Sequence, residues 1–119
     1  MAVTEAEYGG RVPVDGYGPG FFRIGGQVWR GPVIVTAQGA QPWAGWDDRA
    51  ALMALAGQVD LLFLGMGGDI AHPPPGLAEA LDDAGLRVEV MSTPSAARTY
   101  NVLLSEDRSV ACALIPVAG

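Results

Sequence analysis

The chain has 119 residues, of which half are hydrophobic and 17% charged, and its formal net charge is −6. This length suits a single domain, residues 1–119, with one well-filled core. The acidic balance leaves no basic patch for phosphate contacts, which excludes nucleic acid as a partner and disfavours an anionic lipid surface.

Residues 1–20 are rich in glycine and proline and carry few periodic apolar positions, so an irregular N-terminal arm is expected there. Phe21–Ile24 and Gln27–Arg30 flank Gly25-Gly26, the pattern of a two-residue β-hairpin. Gly31-Pro32 breaks the pairing and Val33-Ile34-Val35 predicts a third short strand. Residues 38–46 read as a loop containing Trp43 and Trp46. Asp47 is the expected N-cap of a helix over 48–56 that stops at Gly57.

Leu61–Leu64 is a continuous apolar run, as in a central strand covered on both faces. Residues 65–76 form a loop with four glycines and three consecutive prolines. Leu77, Ala80, Leu81 and Ala84 then recur at helical spacing up to Gly85, and 86–91 alternates as a strand. Thr93 as N-cap and Pro94 at N1 open a helix running to about Glu106, and 109–115 is a last apolar strand. This β-α-β-α-β tail implies crossover connections and a largely parallel sheet.

At 100° per residue, Ala96, Ala97, Tyr100, Leu103 and Leu104 share one arc of the last helix. Arg98, Thr99 and Asn101 fall on the other, an outward face suited to an anion or peptide contact. In a parallel sheet the loop after Leu64 and the helix start after Met91 leave from the same carboxyl edge, where ligands of open α/β sheets bind. Gly65, Gly67, Gly68 and Asp69 are therefore expected beside Arg98, with free helix N–H groups as anion donors. The Gly65-Met66-Gly67-Gly68-Asp69-Ile70 string lacks the last glycine of a dinucleotide fingerprint, so it reads as a tight turn.

The usual catalytic residues are scarce. Lysine is absent, which removes the P-loop lysine and the lysine Schiff base or general base. His72 is the only histidine and Cys112 the only cysteine, too few ligands for a transition metal or partners for a triad. Cys112 lies in an apolar run, which predicts a buried thiol and a reducing, cytoplasmic setting. No secretory signal pattern is present, and no run approaches the ~20 apolar residues of a membrane span.

The segment from Glu89 to Leu104, with Arg98-Thr99-Tyr100-Asn101 at its centre and Glu106-Asp107-Arg108 after it, resembles a small domain-of-unknown-function family of bacteria and archaea. The resemblance extends upstream through Gly20–Gly26, Gly31-Pro32-Val33, the Trp43/Trp46 loop and Gly65-Met66-Gly67, covering residues 8–116. Eukaryotic relatives of that family include an assembly factor of mitochondrial respiratory complex I. Ala97 stands where family members often carry cysteine, which removes a thiol role at that site.

The resemblance implies a three-layer α/β/α fold with a mixed, mostly parallel central sheet and an added N-terminal β-hairpin. With the scarce catalytic residues, the high apolar content and the tryptophan loop, the resemblance points to a non-catalytic protein-interaction or assembly role. The single His72 and Cys112 lead to an expectation of no metal or cofactor. Trp43 and Trp46 are candidate interaction residues, and a membrane-complex subunit is the candidate partner. The competing expectation is an anion or small-molecule site at Arg98, Thr99, Asn101 and the Gly65–Asp69 loop.

Overall fold

The computed structural model describes residues 8–69 and 71–118. Residues 1–7 of the expected arm, and Ile70, lie outside them. The arm is corrected at its C-terminal end: Val14–Gly18 is a strand, β1. It pairs antiparallel with β2 (Phe21–Ile24), which pairs in turn with β3 (Gln27–Arg30), so the expected hairpin is two strands of a three-stranded sheet. The register shifts between Val14 and Gly16, a bulge at Asp15.

A second sheet contains β4 (Val33–Thr36), β5 (Gly39–Pro42), β6 (Leu61–Gly65), β7 (Arg87–Met91) and β8 (Val110–Leu114), in the order β5-β4-β8-β6-β7. β5 corrects part of the expected 38–46 loop. Thr36 pairs with Gly39 across a two-residue turn, and Pro42 is tolerated because β5 is an edge strand. β6 pairs parallel with both β7 and β8, as the apolar run and the short crossovers predict. β4 pairs antiparallel with β5 and β8, so the sheet is evenly mixed rather than mostly parallel.

Three helices complete the domain: α1 (Arg49–Met53), α2 (Leu77–Asp83) and α3 (Thr93–Ser105). α1 is shorter than its apolar spacing suggests. A 3₁₀ turn occupies Gly45–Asp47, and Asp48 rather than Asp47 is the cap, its carboxylate accepting the Ala51 N–H at 3.3 Å. α3 starts one residue earlier than expected. Ser92 caps it, which places Thr93 at N1 and frees its hydroxyl for other contacts.

Alternation along the strands of the larger sheet feeds two cores. On one face Val33, Val35, Phe63, Cys112 and Leu114 meet Ala96, Tyr100 and Leu104 of α3 together with Phe22 and Ile24 of the small sheet. On the other face Ile34, Leu62, Leu64, Ala111 and Ala113 meet Leu52, Leu77 and Leu81 of α1 and α2. Each fully buried side chain of this kind contributes roughly 1.5–3 kcal/mol. Burial also pushes the Cys112 thiol upward in pKa, so it stays protonated and inert.

Candidate functional site

The carboxyl edge of the parallel strands brings the Gly65 loop and the start of α3 together, as the topology requires. Thr93 joins them. It is fully buried, and its hydroxyl accepts the Gly67 N–H at 2.9 Å and donates to the Ile115 carbonyl at 2.6 Å. Its own N–H donates to the Gly67 carbonyl at 2.7 Å. One side chain thus ties the exits of β6 and β8 to the first turn of α3.

The glycines of this loop are explained by the same knot. A Cβ on Gly65 would lie 2.9 Å from the Thr93 Cα and 2.8 Å from Leu114 Cδ2, so only glycine permits the approach. Gly67 has φ of +97°, a left-handed conformation that aims its N–H at Thr93. Gly68 and Asp69 are exposed at the loop tip.

The first-turn amides of α3 are engaged within the chain. Thr93 N donates to Gly67 O, Pro94 has no N–H, and the N–H groups of Ser95 and Ala96 donate to the Ser92 hydroxyl and carbonyl. No N–H of this turn projects unengaged into solvent.

The Arg98–Asn101 block divides by function. Tyr100 faces the core, and its hydroxyl donates to the Val12 carbonyl at 2.8 Å. Burial, with smaller contributions from Cys112 and Tyr8, raises its pKa far above the usual tyrosine value, so it remains a neutral donor. Asn101 is a second clasp on the same segment. Its Nδ2 donates to Val14 O at 2.8 Å and its Oδ1 accepts Val14 N at 2.9 Å. Both amide atoms are thereby spent on the free edge of β1, which β2 leaves unpaired. Tyr100 and Asn101 together hold β1 to α3.

Arg98 is exposed and, among the described residues, makes no ion pair or hydrogen bond; Glu89 is likewise exposed and makes no ion pair. Among the described residues, Arg11 instead pairs with Asp107. Arg98 borders a cleft of about 390 Å³ between β1 and α3, whose walls include Asp15, Tyr17, Pro94, Ala97 and Val102. Tyr17 is 46% and Val102 49% exposed, large apolar groups at the mouth of one cleft. The Gly65–Asp69 loop does not line this cleft, and neither does Thr99, which is half-buried on α3. Tyr17 and Val102 escape sequence reasoning because the strand carrying Tyr17 is itself hidden there.

Trp43 is buried in the second core, its Nε1–H donating to Asp48 O at 3.1 Å. Trp46 is half-buried and meets it edge-on, with ring centroids 5.1 Å apart. Trp46 alone of this pair presents surface to a partner. His72 is exposed in the proline loop, while Cys112 is fully buried in the larger sheet.

Fold and site thus define a small mixed α/β domain whose polar motif serves mainly to lock a strand and two loops together. The chain belongs to the family described as protein of unknown function (DUF498/DUF598), whose profile matches residues 14–115. It is 60% identical over 119 residues to an uncharacterised protein of Rhodobacter capsulatus, covering all of this chain and 96% of that one.

It is 32% identical to the fruit-fly NADH dehydrogenase [ubiquinone] 1 alpha subcomplex assembly factor 3 over 125 residues. That match covers 95% of this chain and spans 62% of the relative's length. Among solved structures, a protein of Bartonella henselae described as an outer membrane protein superposes with a TM-score of 0.80 at 34% identity. The superposition covers 91% of this chain and 97% of that one. No helix among the described residues is long and apolar enough to cross a membrane.

Proposed function

We propose that this chain is a non-catalytic protein-interaction domain that acts as an assembly factor, working in the cytoplasm on a subunit of a membrane complex such as respiratory complex I. The observation that carries this reading is the likeness to a named complex I assembly factor across 95% of the chain. The site adds support. Tyr100, Asn101 and Thr93 spend their polar groups on the fold, and the exposed side chains at the cleft are Arg98, Asp15, Tyr17 and Val102, a mixture suited to a peptide surface. The same reading takes the scaffold as a three-layer α/β/α domain, supported by apolar cores on both faces of the larger sheet. Affinity purification of the tagged chain from its native cells tests the proposal. Stoichiometric recovery of a respiratory or other membrane-complex subunit is expected, and repeated recovery of none overturns it.

A second reading, an anion or small-molecule site, is favoured by the 390 Å³ cleft and by the unpaired Arg98 guanidinium at its rim. Of the expected site residues, Arg98 and Asn101 line that cleft, whereas Thr99, Gly68 and Asp69 do not. Thermal-shift titration with inorganic phosphate, simple carboxylates and nucleotides tests it. A hit that Arg98→Ala binds as tightly as the unaltered chain removes Arg98 from the site.

A further inference from the structure

We infer that the outer face of the three-stranded sheet is a docking surface for an acidic protein segment carrying apolar side chains. This rests on the reading of the chain as a protein-interaction domain, and adds the surface and the chemistry of the partner.

The inner face of that sheet packs Phe22 and Ile24 into the core, so the opposite residues of each strand point outward. Register places Phe21 opposite Arg30 and Arg23 opposite Val28 on adjacent strands, a chequerboard of two guanidiniums and two apolar groups. Val28 is 53% exposed, above every other large apolar side chain named in the fold, and Arg23 and Arg30 are exposed beside it. On the third strand, Gly16 and Gly18 stand opposite Arg23 and Phe21 and add no side chain to the face. A Cβ on Gly18 would lie 2.4 Å from the Phe21 ring, so the ring occupies the space beside that glycine. The face therefore carries apolar groups on one diagonal and positive groups on the other.

The charge contrast identifies the occupant. The chain carries −6 overall, yet among the described residues neither Arg23 nor Arg30 makes an ion pair. The nearest acid in sequence on this sheet, Asp15, directs a carboxylate oxygen to the Gly26 N–H at the hairpin turn, 3.4 Å away. Two arginines without an ion-pair partner among the described residues attract carboxylates, and their planar forks bind them in two-point fashion.

Size selects a segment over a folded surface. Three strands ~4.8 Å apart and about four residues long span roughly 200 Å², against the roughly 800 Å² per partner of a stable interface. A second copy of this chain is thus a poor fit. A membrane is disfavoured because two arginines contribute only about 1 kcal/mol each against the repulsion of a −6 domain.

The test titrates the full ¹⁵N-labelled chain with the peptide Glu-Leu-Glu-Phe-Glu-Leu and follows amide shifts. Shifts confined to residues 14–30 are expected, weakening with salt. The double variant Arg23→Glu/Arg30→Glu, with native spectral dispersion, is expected to bind about tenfold more weakly or worse, and Arg98→Ala as the unaltered chain does. Shifts elsewhere, or undiminished binding by the double variant, overturn the proposal. So does concentration-dependent dimerisation, or binding to phosphatidylserine vesicles, that the double variant abolishes. A cellular partner recovered equally by the double variant overturns this inference and leaves the proposed function intact. Peptide binding at this face with no cellular partner does the reverse.

Discussion

Replacing Thr93 by valine removes a hydroxyl and almost nothing else, since the two side chains have nearly the same shape. The structure sets the expected cost. The Gly67 N–H, fully buried, loses its acceptor at 2.9 Å, and the half-buried Ile115 carbonyl loses its donor at 2.6 Å. An orphaned buried N–H costs roughly 1–3 kcal/mol, and a carbonyl that water can still reach costs less. The sum is about 2–4 kcal/mol, a large share of the ~5–15 kcal/mol that holds a domain of this kind together. At roughly 3–6 °C per kcal/mol for a chain of this length, the melting midpoint is expected to fall by about 6–24 °C. Thr93→Ser keeps both hydrogen bonds and loses one methyl, so about 1 kcal/mol is expected. Urea titration followed by circular dichroism measures both. Thr93→Val within about 0.5 kcal/mol of the unaltered chain, or Thr93→Ser as damaging as Thr93→Val, refutes the claim that the hydroxyl joins these loops.

Gly65→Ala drives a methyl against the Thr93 backbone and Leu114, with an expected loss of about 1–3 kcal/mol; a neutral result in the same urea assay contradicts the close approach. Asn101→Ala removes both bonds to Val14 and is expected to cost about 1–2 kcal/mol, with faster hydrogen exchange at the Val14 amide; unchanged protection there disproves the clasp. Stability is also expected to fall in alkali. Cys112 and Tyr100 both have folded pKa values raised by burial above their ordinary 9.0 and 10.0, so the unfolded chain ionises first and their contribution is lost as pH climbs past those values. Tyr100→Phe is expected to make the decline above pH 10 shallower than in the unaltered chain. A flat stability profile from pH 8 to 11 is the contrary result.

Helical periodicity was enough to assign the inward arc of α3, because Ala96, Ala97, Tyr100 and Leu104 repeat at the spacing of one helix face. It placed Asn101 on the outer arc, and that is where geometry required more than a wheel. Asn101 stands at the margin of the buried arc, where β1 runs past it. β1 itself was illegible, since its glycines and its bulge hide the strand alternation beside β2, and the bonds that fix its other edge reach Asn101, 87 positions away. The Gly65 loop was correctly brought to the start of α3 by topology alone. That its amides are engaged by Thr93 rather than left open was not, because a threonine at a helix start reads as a cap until its hydroxyl is seen pointing elsewhere.

The amino-acid sequence by itself determined the helix and strand alternation of residues 61–114, the parallel pairing of β6 with its neighbours and the buried state of Cys112. These follow from local periodicity and from the handedness of short crossovers. Only the tertiary structure decided that residues 14–18 form a strand, that Tyr100 and Asn101 hold it, and that Arg98 shares a cleft with Tyr17 and Val102 rather than with the glycine loop. The physical reason is that these depend on hydrogen bonds between distant backbone and side-chain atoms, whose pairing no local pattern encodes.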